Sequence, residues 1–381
     1  MIEYFMVYAL LWILAYLQAI KSNTESNKLF WMQGVVLLVF SALRFETGYD
    51  WPVYSSHYNG EMGDAGLVFE PGYQLLVFAF TSLGIPFKYY LSCITAAMIV
   101  ALMALTKRIT PKYKEIAIAI TFSLPDFYLI PIFSVIRQTM SLLILLIGIM
   151  WLCEGKKKRA YFLIIASFAF HYSTLIIFPL ILFVRSLKLS RSTYYVIFIF
   201  SFFGYLTSID FASLFLKSAV ELFMPSYGMY MSRDTFNASF FYRAVTGLLT
   251  IMIALAVAKS RTYANKDWGG ESSFSLNIGL LALLLPILLF NYPTFTSRFM
   301  FLGSFFIMAL SLYYFHEVLN VKKFVTCLIC SVVFALPLYR FLSSSFSTPF
   351  VPYQSMLFYD ESNSTGNERT QDLLDMLDSL W

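Results

Sequence analysis

Charge is scarce in this sequence. Only 13% of its 381 residues are Asp, Glu, Lys or Arg, where a soluble domain carries about 25%. A water-soluble globule is thereby excluded. Histidine is rarer still, at three residues, and no second His or Cys stands at ligand spacing to support a metal. The four cysteines, Cys93, Cys153, Cys327 and Cys330, lie in or beside apolar runs. They offer no zinc cage and read as small hydrophobes. Also missing are a phosphate-binding Walker loop, a zinc-protease helix and a serine-hydrolase elbow. No aspartate pair of the kind that holds a metal–diphosphate donor occurs. Strands of a membrane barrel alternate over about ten residues; the continuous apolar runs here exclude that architecture. The opening MIEYFMVYALLWILAYLQAI has neither a basic n-region nor a small-residue cleavage site, so a retained first span is expected.

What is present is hydrocarbon. Hydrophobic residues make up 59% of the chain. Apolar segments run at 3–20, 29–43, 68–84, 89–106, 115–132, 134–153, 160–184, 193–209, 241–258, 274–291, 298–315 and 323–341. At ~20 residues per span they predict an all-α polytopic bundle of roughly 10–12 crossings. The expected organisation is one transmembrane domain, 1–345, and a polar C-terminal tail, 346–381. Within the tail, DESNSTGNERTQD (360–372) is expected to be poorly ordered. Two long loops poor in basic residues, 44–67 and 210–240, are expected to face outward. In the second, Ala212, Phe215, Ala219 and Leu222 recur at the spacing of an interfacial helix.

The net charge of +5 sits in short patches: TKRITPKYK (106–114), EGKKKR (154–159), RSLKLSR (185–191), KSRTYANK (259–266) and NVKK (320–323). The cytoplasmic membrane surface accounts for these, and no nucleic-acid partner is implied. Strict alternation conflicts with that rule. With 44–67 outside, full crossings by 68–84 and 89–106 carry TKRITPKYK outside, and EGKKKR follows it. Re-entrant segments are therefore expected, one within 44–84 and one at 160–184, where FAFHYST interrupts the run.

Ionisable groups in such surroundings need a reason. Arg44 opens RFETGYDWPVYSSHY (44–58). It reads either as a snorkelling helix end or as an anion contact at a cavity mouth, braced by Glu46 and Asp50 around Gly48. Asp50 is expected on an irregular turn, as a cap or a general base, because Pro52 disfavours helix at Trp51. Glu70, before Pro71, is a helix-start anion or a second carboxylate of the same vestibule. Arg137 stands alone between Lys114 and Lys156 in an apolar stretch. Placing arginine at a helix centre costs about 3 kcal/mol. Its planar fork suits phosphate oxygens, with Gln138 as a neutral donor; the bland alternative is a pair with Asp126. His171 is either a packing residue or a group that exchanges a proton with a sugar hydroxyl or phosphate. Arg233, Asp234, Arg243, Arg298 and Arg340 add to the picture. Together the guanidinium groups and tyrosines suggest an outward cavity for an anionic, polyhydroxylated ligand, such as a lipid diphosphate carrying sugars.

RFETGYDWPVY, then FEPGYQLL, IRQTMSL and FAFHYSTLI, in that order, resembles the EpsG family of bacterial polysaccharide-synthesis proteins. The likeness is strongest over 40–180. It falls on Arg44, Gly48, Tyr49 and Asp50, on Glu70, Pro71 and Gly72, on Arg137 and Gln138, and on His171. The resemblance implies a Wzy-type polymerase with a GT-C-like helical fold, akin to O-antigen polymerases. Such an enzyme joins undecaprenyl-diphosphate-linked repeat units on the outer face of the bacterial cytoplasmic membrane, making a surface polysaccharide. Its implied partners are a flippase and a chain-length regulator; no cofactor or metal is implied. The expected catalytic set is Asp50, Glu70, His171 and Arg137. Arg44, Arg137, Gln138 and Arg298 would hold the diphosphate, and Tyr49, Trp51, Tyr54 and Tyr230 would stack on sugars. A flippase or exporter of the same lipid, and a membrane O-acyltransferase, are the alternatives.

Overall fold

The computed structural model describes residues 1–21, 27–62, 69–186, 191–209, 253, 272–290, 293–359 and 364–379. The loop 210–240 and Arg243 lie outside these residues. Among the described residues the chain is all-α and polytopic. Five helices are long and apolar enough to cross a membrane: Ile2–Ile20, Phe87–Ile109, Ile136–Cys153, Met300–Val318 and Lys323–Leu342. Two compact units are present, Met1–Ile176 with Lys322–Trp381, and Ile177–Val321.

The first unit begins with α1 (Ile2–Ile20), α2 (Lys28–Ala42), α3 (Trp51–Tyr58), α4 (Pro71–Ser82) and α5 (Phe87–Ile109). On α1, Tyr4, Val7, Leu11, Trp12, Leu14 and Ala15 are buried. Ile2, Met6, Leu10, Ile13 and Leu17, three or four residues apart, are exposed. Both faces are apolar, as suits a helix with protein on one side and lipid on the other. α6 (Lys114–Ser123) follows, then a 3-10 turn at Pro125–Phe127 and the short α7 (Leu129–Phe133). Buried Gln33 on α2 donates to Leu11 O at 2.9 Å and Glu115 O at 3.0 Å, tying α1, α2 and the start of α6.

α8 (Ile136–Cys153) and α9 (Lys157–Phe170) form a tight antiparallel pair. Gly148 lets them approach Ala160 and Ile164, and Ser141 Oγ donates to Ser167 O at 2.6 Å. Small residues and buried hydroxyls are how helices associate when lipid supplies no hydrophobic drive. α9 ends at the expected break, with His171 extended, and α10 (Ser173–Ser186) begins after it. In the second unit α11 (Arg191–Thr207), α12 (Ser272–Leu288) and α13 (Pro293–Tyr313) pack around Phe198, Tyr205, Leu283 and Leu310.

The chain returns to the first unit as α14 (Lys323–Val333), α15 (Ala335–Leu342) and α16 (Gly366–Ser379). The expected disorder of the tail is corrected here. Arg369 on α16 is buried, and donates to Pro352 O at 2.8 Å, Glu46 O at 2.5 Å and Gln354 Oε1 at 3.0 Å. Glu46 answers by accepting from Gly366 N at 2.8 Å. The tail is thus fastened to the 44–50 loop, and residues 360–363 lie outside the described set.

The topological conflict of the sequence reading dissolves in the first unit. α4 does not cross. Its start touches α3, with Tyr73 5.8 Å from Tyr54, and the turn after it touches α3 again, where Tyr58 donates to Ile85 O at 2.5 Å. Twelve residues extend only about 18 Å at 1.5 Å each. α5 then carries the chain to the opposite end. There Arg108 pairs with Glu154, Lys156 lies 2.6 Å from the same carboxylate, and Lys323 donates to Lys112 O at 2.8 Å. TKRITPKYK, EGKKKR and NVKK therefore meet at one basic end. The loop 44–50, the start of α8 and the end of α9 gather at the other.

Arg44 is also corrected. It is internal, 1% exposed, and neither Glu46 nor Asp50 braces it. Its guanidinium donates to Ser41 O at 2.7 Å, Thr95 Oγ1 at 2.8 Å and Ile132 O at 3.0 Å, and lies 4.6 Å from the Phe133 ring centre. It ties the ends of α2 and α7 to α5 and has no opening toward a diphosphate. Arg44→Met leaves three buried acceptors without a donor. The expected loss is about 2–3 kcal/mol in detergent unfolding; unchanged stability would refute this role.

Candidate functional site

Three helix ends place the site. Glu70 stands at the N-cap of α4, Arg137 in the first turn of α8, and His171 just past the end of α9. The antiparallel pairing of α8 and α9 brings Arg137 beside His171. Gly72 brings in α4: a Cβ there would lie 2.7 Å from Ala169 O, so only glycine allows the approach.

At the junction one carboxylate meets two nitrogen bases. Glu70 Oε2 accepts from an Arg137 terminal nitrogen at 2.5 Å, and Oε1 lies 2.6 Å from His171 Nδ1. The expected alternative, Arg137 with Asp126, is not formed. Side-chain exposure orders the three: Glu70 4%, His171 12%, Arg137 23%. The carboxylate is the most deeply buried, and the two bases are nearer the surface. Burial raises the Glu70 carboxyl, but the hydrogen bond with His171 and the Arg137 charge hold it below the ordinary glutamate value. With Glu70 ionised and His171 neutral, His171 Nδ1–H donates to Glu70 Oε1 and Nε2 is left as the basic nitrogen.

Aromatic rings box the arginine. Its guanidinium carbon is 4.5 Å from the Phe69 ring centre, and 5.9 Å from those of Tyr54 and Tyr73. His57 stacks on Phe69 at 3.8 Å, with Nε2 buried and unpartnered. Burial and the Arg137 charge push its imidazole below its ordinary value. The sequence reading missed His57, Phe69 and Tyr73. The signal for His57 was its place three residues after Tyr54, visible once 51–58 is helical. It is helical because Pro52 sits in the first turn, where proline removes no needed hydrogen bond. The expected irregular turn is corrected to α3.

The other expected residues divide. Asp50 caps α3 without a side-chain capping bond, one turn before Tyr54, whose hydroxyl feels its charge. Gln138 is buried beside Arg137, with neither amide atom hydrogen-bonded. Trp51 is not open to a sugar: it is buried, edge-on to Phe45 and Phe87. Tyr54 is 3% exposed and belongs to the arginine box. Tyr49 turns elsewhere, donating to Phe346 O at 2.8 Å. Gly48 before it has φ +114°, and a Cβ there would fall 2.2 Å from Phe133 O. The Arg298 side chain, Tyr230, Arg233 and Asp234 lie outside the described residues.

The EpsG family model matches residues 27–355. No curated protein matches the chain. No solved structure matches it either. The matched region contains the 44–50 loop, Glu70, Arg137 and His171 together, and covers most of the sequence. The chain therefore belongs to the EpsG family, as a multi-pass membrane protein of polysaccharide biosynthesis.

Proposed function

We propose that this protein is a membrane glycosyltransferase that polymerises undecaprenyl-diphosphate-linked repeat units into a surface polysaccharide. The observation that carries the reading is the meeting of Glu70, Arg137 and His171 at three helix ends in an EpsG-family chain. An acceptor sugar hydroxyl attacks the anomeric carbon of the growing chain. His171 Nε2 takes the hydroxyl proton, and Glu70 fixes the ring by holding Nδ1. The bond from the anomeric carbon to the diphosphate oxygen breaks, and that oxygen leaves with the electron pair. Arg137 faces the developing charge, so no metal is needed in the step. Direct displacement inverts the anomeric carbon. Asp50, at the start of α3, orients the acceptor.

The site lies at the end opposite the basic patches. Under the positive-inside rule that end faces the periplasm or exterior of a bacterial cytoplasmic membrane. A flippase that delivers lipid-linked units and a regulator of chain length are the partners this reaction calls for.

The test is purified protein in vesicles, supplied only with lipid-linked repeat units. Chain growth supports the polymerase; relocation of single units across the bilayer, without growth, supports a flippase instead. Arg137→Ala is expected to slow growth about 10²–10³-fold, the range for losing one preorganised donor to a developing anion. Full-rate growth in that variant would remove Arg137 from the mechanism.

A further inference from the structure

An opening lies beside the 44–50 loop. It is a cleft of ≈ 630 Å³, lined by Tyr49, by residues of 124–130 and by residues of 336–346. Ligand pockets span roughly 300–1,000 Å³. Most of the lining is apolar, with Leu124, Ile130, Leu336 and Phe341 prominent. Two charged side chains share these walls, Asp126 and Arg340, and both are exposed. Among the described residues neither makes an ion pair. Opposite charges on one apolar wall, left uncoupled, suit a ligand that brings hydrocarbon, anion and hydroxyl together.

Three placements narrow the ligand. Val332, Val333, Leu336 and Tyr339 are exposed along α14 and α15, which make up the long apolar segment Lys323–Leu342. Leu336 also lines the cleft, so the cleft borders the exposed apolar face of that segment. Arg340 is two residues from the end of that segment, where a long cationic side chain can reach toward lipid phosphates. Finally, Tyr49 lines the cleft while Asp50, the next residue, leads into α3 and Tyr54 at Arg137. The hydrogen bond from Tyr49 to Phe346 O joins the loop to the far wall. Cleft and Glu70 cluster thus share one loop at one end of the unit.

We propose that this cleft holds a second polyprenyl-diphosphate-linked glycan, the acceptor of the transfer. Its isoprenoid chain lies along α14 and α15, its diphosphate on Arg340, and a sugar hydroxyl on Asp126. The glycan then runs past Tyr49 and Asp50 toward His171. This assignment rests on the glycosyl-transfer reading given above.

The probe is a polyprenyl diphosphate that carries a photoreactive group and no sugar, added to the full chain in lipid nanodiscs. Labelled peptides are expected from 124–130 or 336–346 as well as from around Arg137. Arg340→Gln is expected to cut cleft labelling about tenfold and leave the Arg137 label unchanged, with Arg340→Lys restoring most of it. Arg137→Ala should do the reverse. Labelling confined to the Arg137 cluster overturns the proposal. So does equal cleft labelling by a photoreactive phosphatidylglycerol, which would mark an ordinary lipid contact. Arg340-dependent, polyprenyl-selective labelling in a protein that extends no chains would sustain the cleft as a diphosphate site and sink the polymerase reading alone.

Discussion

His171→Ala is expected to lower chain extension by roughly two to four orders of magnitude, the contribution of a positioned general base. The lipid diphosphate should still bind, because Arg137 and its aromatic box remain. The effect therefore belongs in the turnover rate rather than in apparent affinity. The pH profile gives the sharper reading. A base works in its neutral form, so the wild-type rate should rise with pH as His171 loses its proton. Glu70 cannot produce that limb, since its carboxyl is held below the ordinary glutamate range and is already ionised there. In His171→Ala the residual rate should lose the limb. An acid limb that survives the substitution would assign the proton to another group. His57 is the first candidate, an imidazole stacked 3.8 Å from Phe69 within the same box and pushed below its ordinary value by burial and the Arg137 charge.

The residues that form this site were legible because each is costly where it stands. An arginine, a histidine and a glutamate in or beside apolar runs announce themselves by composition alone. Their pairing was not legible. Glu70 and Arg137 are 67 positions apart, and Glu70 and His171 are 101 apart. Nothing local selects Glu70 over Asp126 as the arginine's partner. What selects it is the contact of Gly72 with Ala169, a property of packing. Arg44 misled for a related reason. A guanidinium at the end of an apolar helix looks like a surface group until α7 arrives to offer Ile132 O and Phe133. α4 misled because apolarity over 68–84 has the length of a span, whereas only Pro71–Ser82 is helical and it folds back on α3. Pro52 misled because the same residue stops a helix from inside and starts one from its first turn. The tail looked disordered by composition. A single buried arginine, Arg369, reverses that by satisfying three acceptors at once.

Glu70→Gln is expected to remove both activity and stability, and the two losses can be separated. Glutamine keeps the shape but not the charge, so Arg137 stays beside a desolvated site without its counter-charge. Taking one partner from a buried pair costs about 3–5 kcal/mol. Here Arg137 and His171 keep 23% and 12% of their exposure, so solvent screens part of that loss and about 3 kcal/mol or less is expected. The sign with pH follows from the carboxyl's depressed titration. Its stabilising effect is fully present above the ordinary glutamate value and fades as the pH falls through the lower folded value. The wild type should therefore lose stability on acidification over that window, and Glu70→Gln should be flatter there. For activity, Glu70 acts by holding His171. In a His171→Ala background, Glu70→Gln should add little to the rate loss, while it still lowers the unfolding midpoint. Rate losses that multiply in the double variant would mean that Glu70 acts on more than His171, through Arg137 or on the substrate directly. Helix ends would then have brought together two independent groups, instead of a carboxylate that serves a histidine.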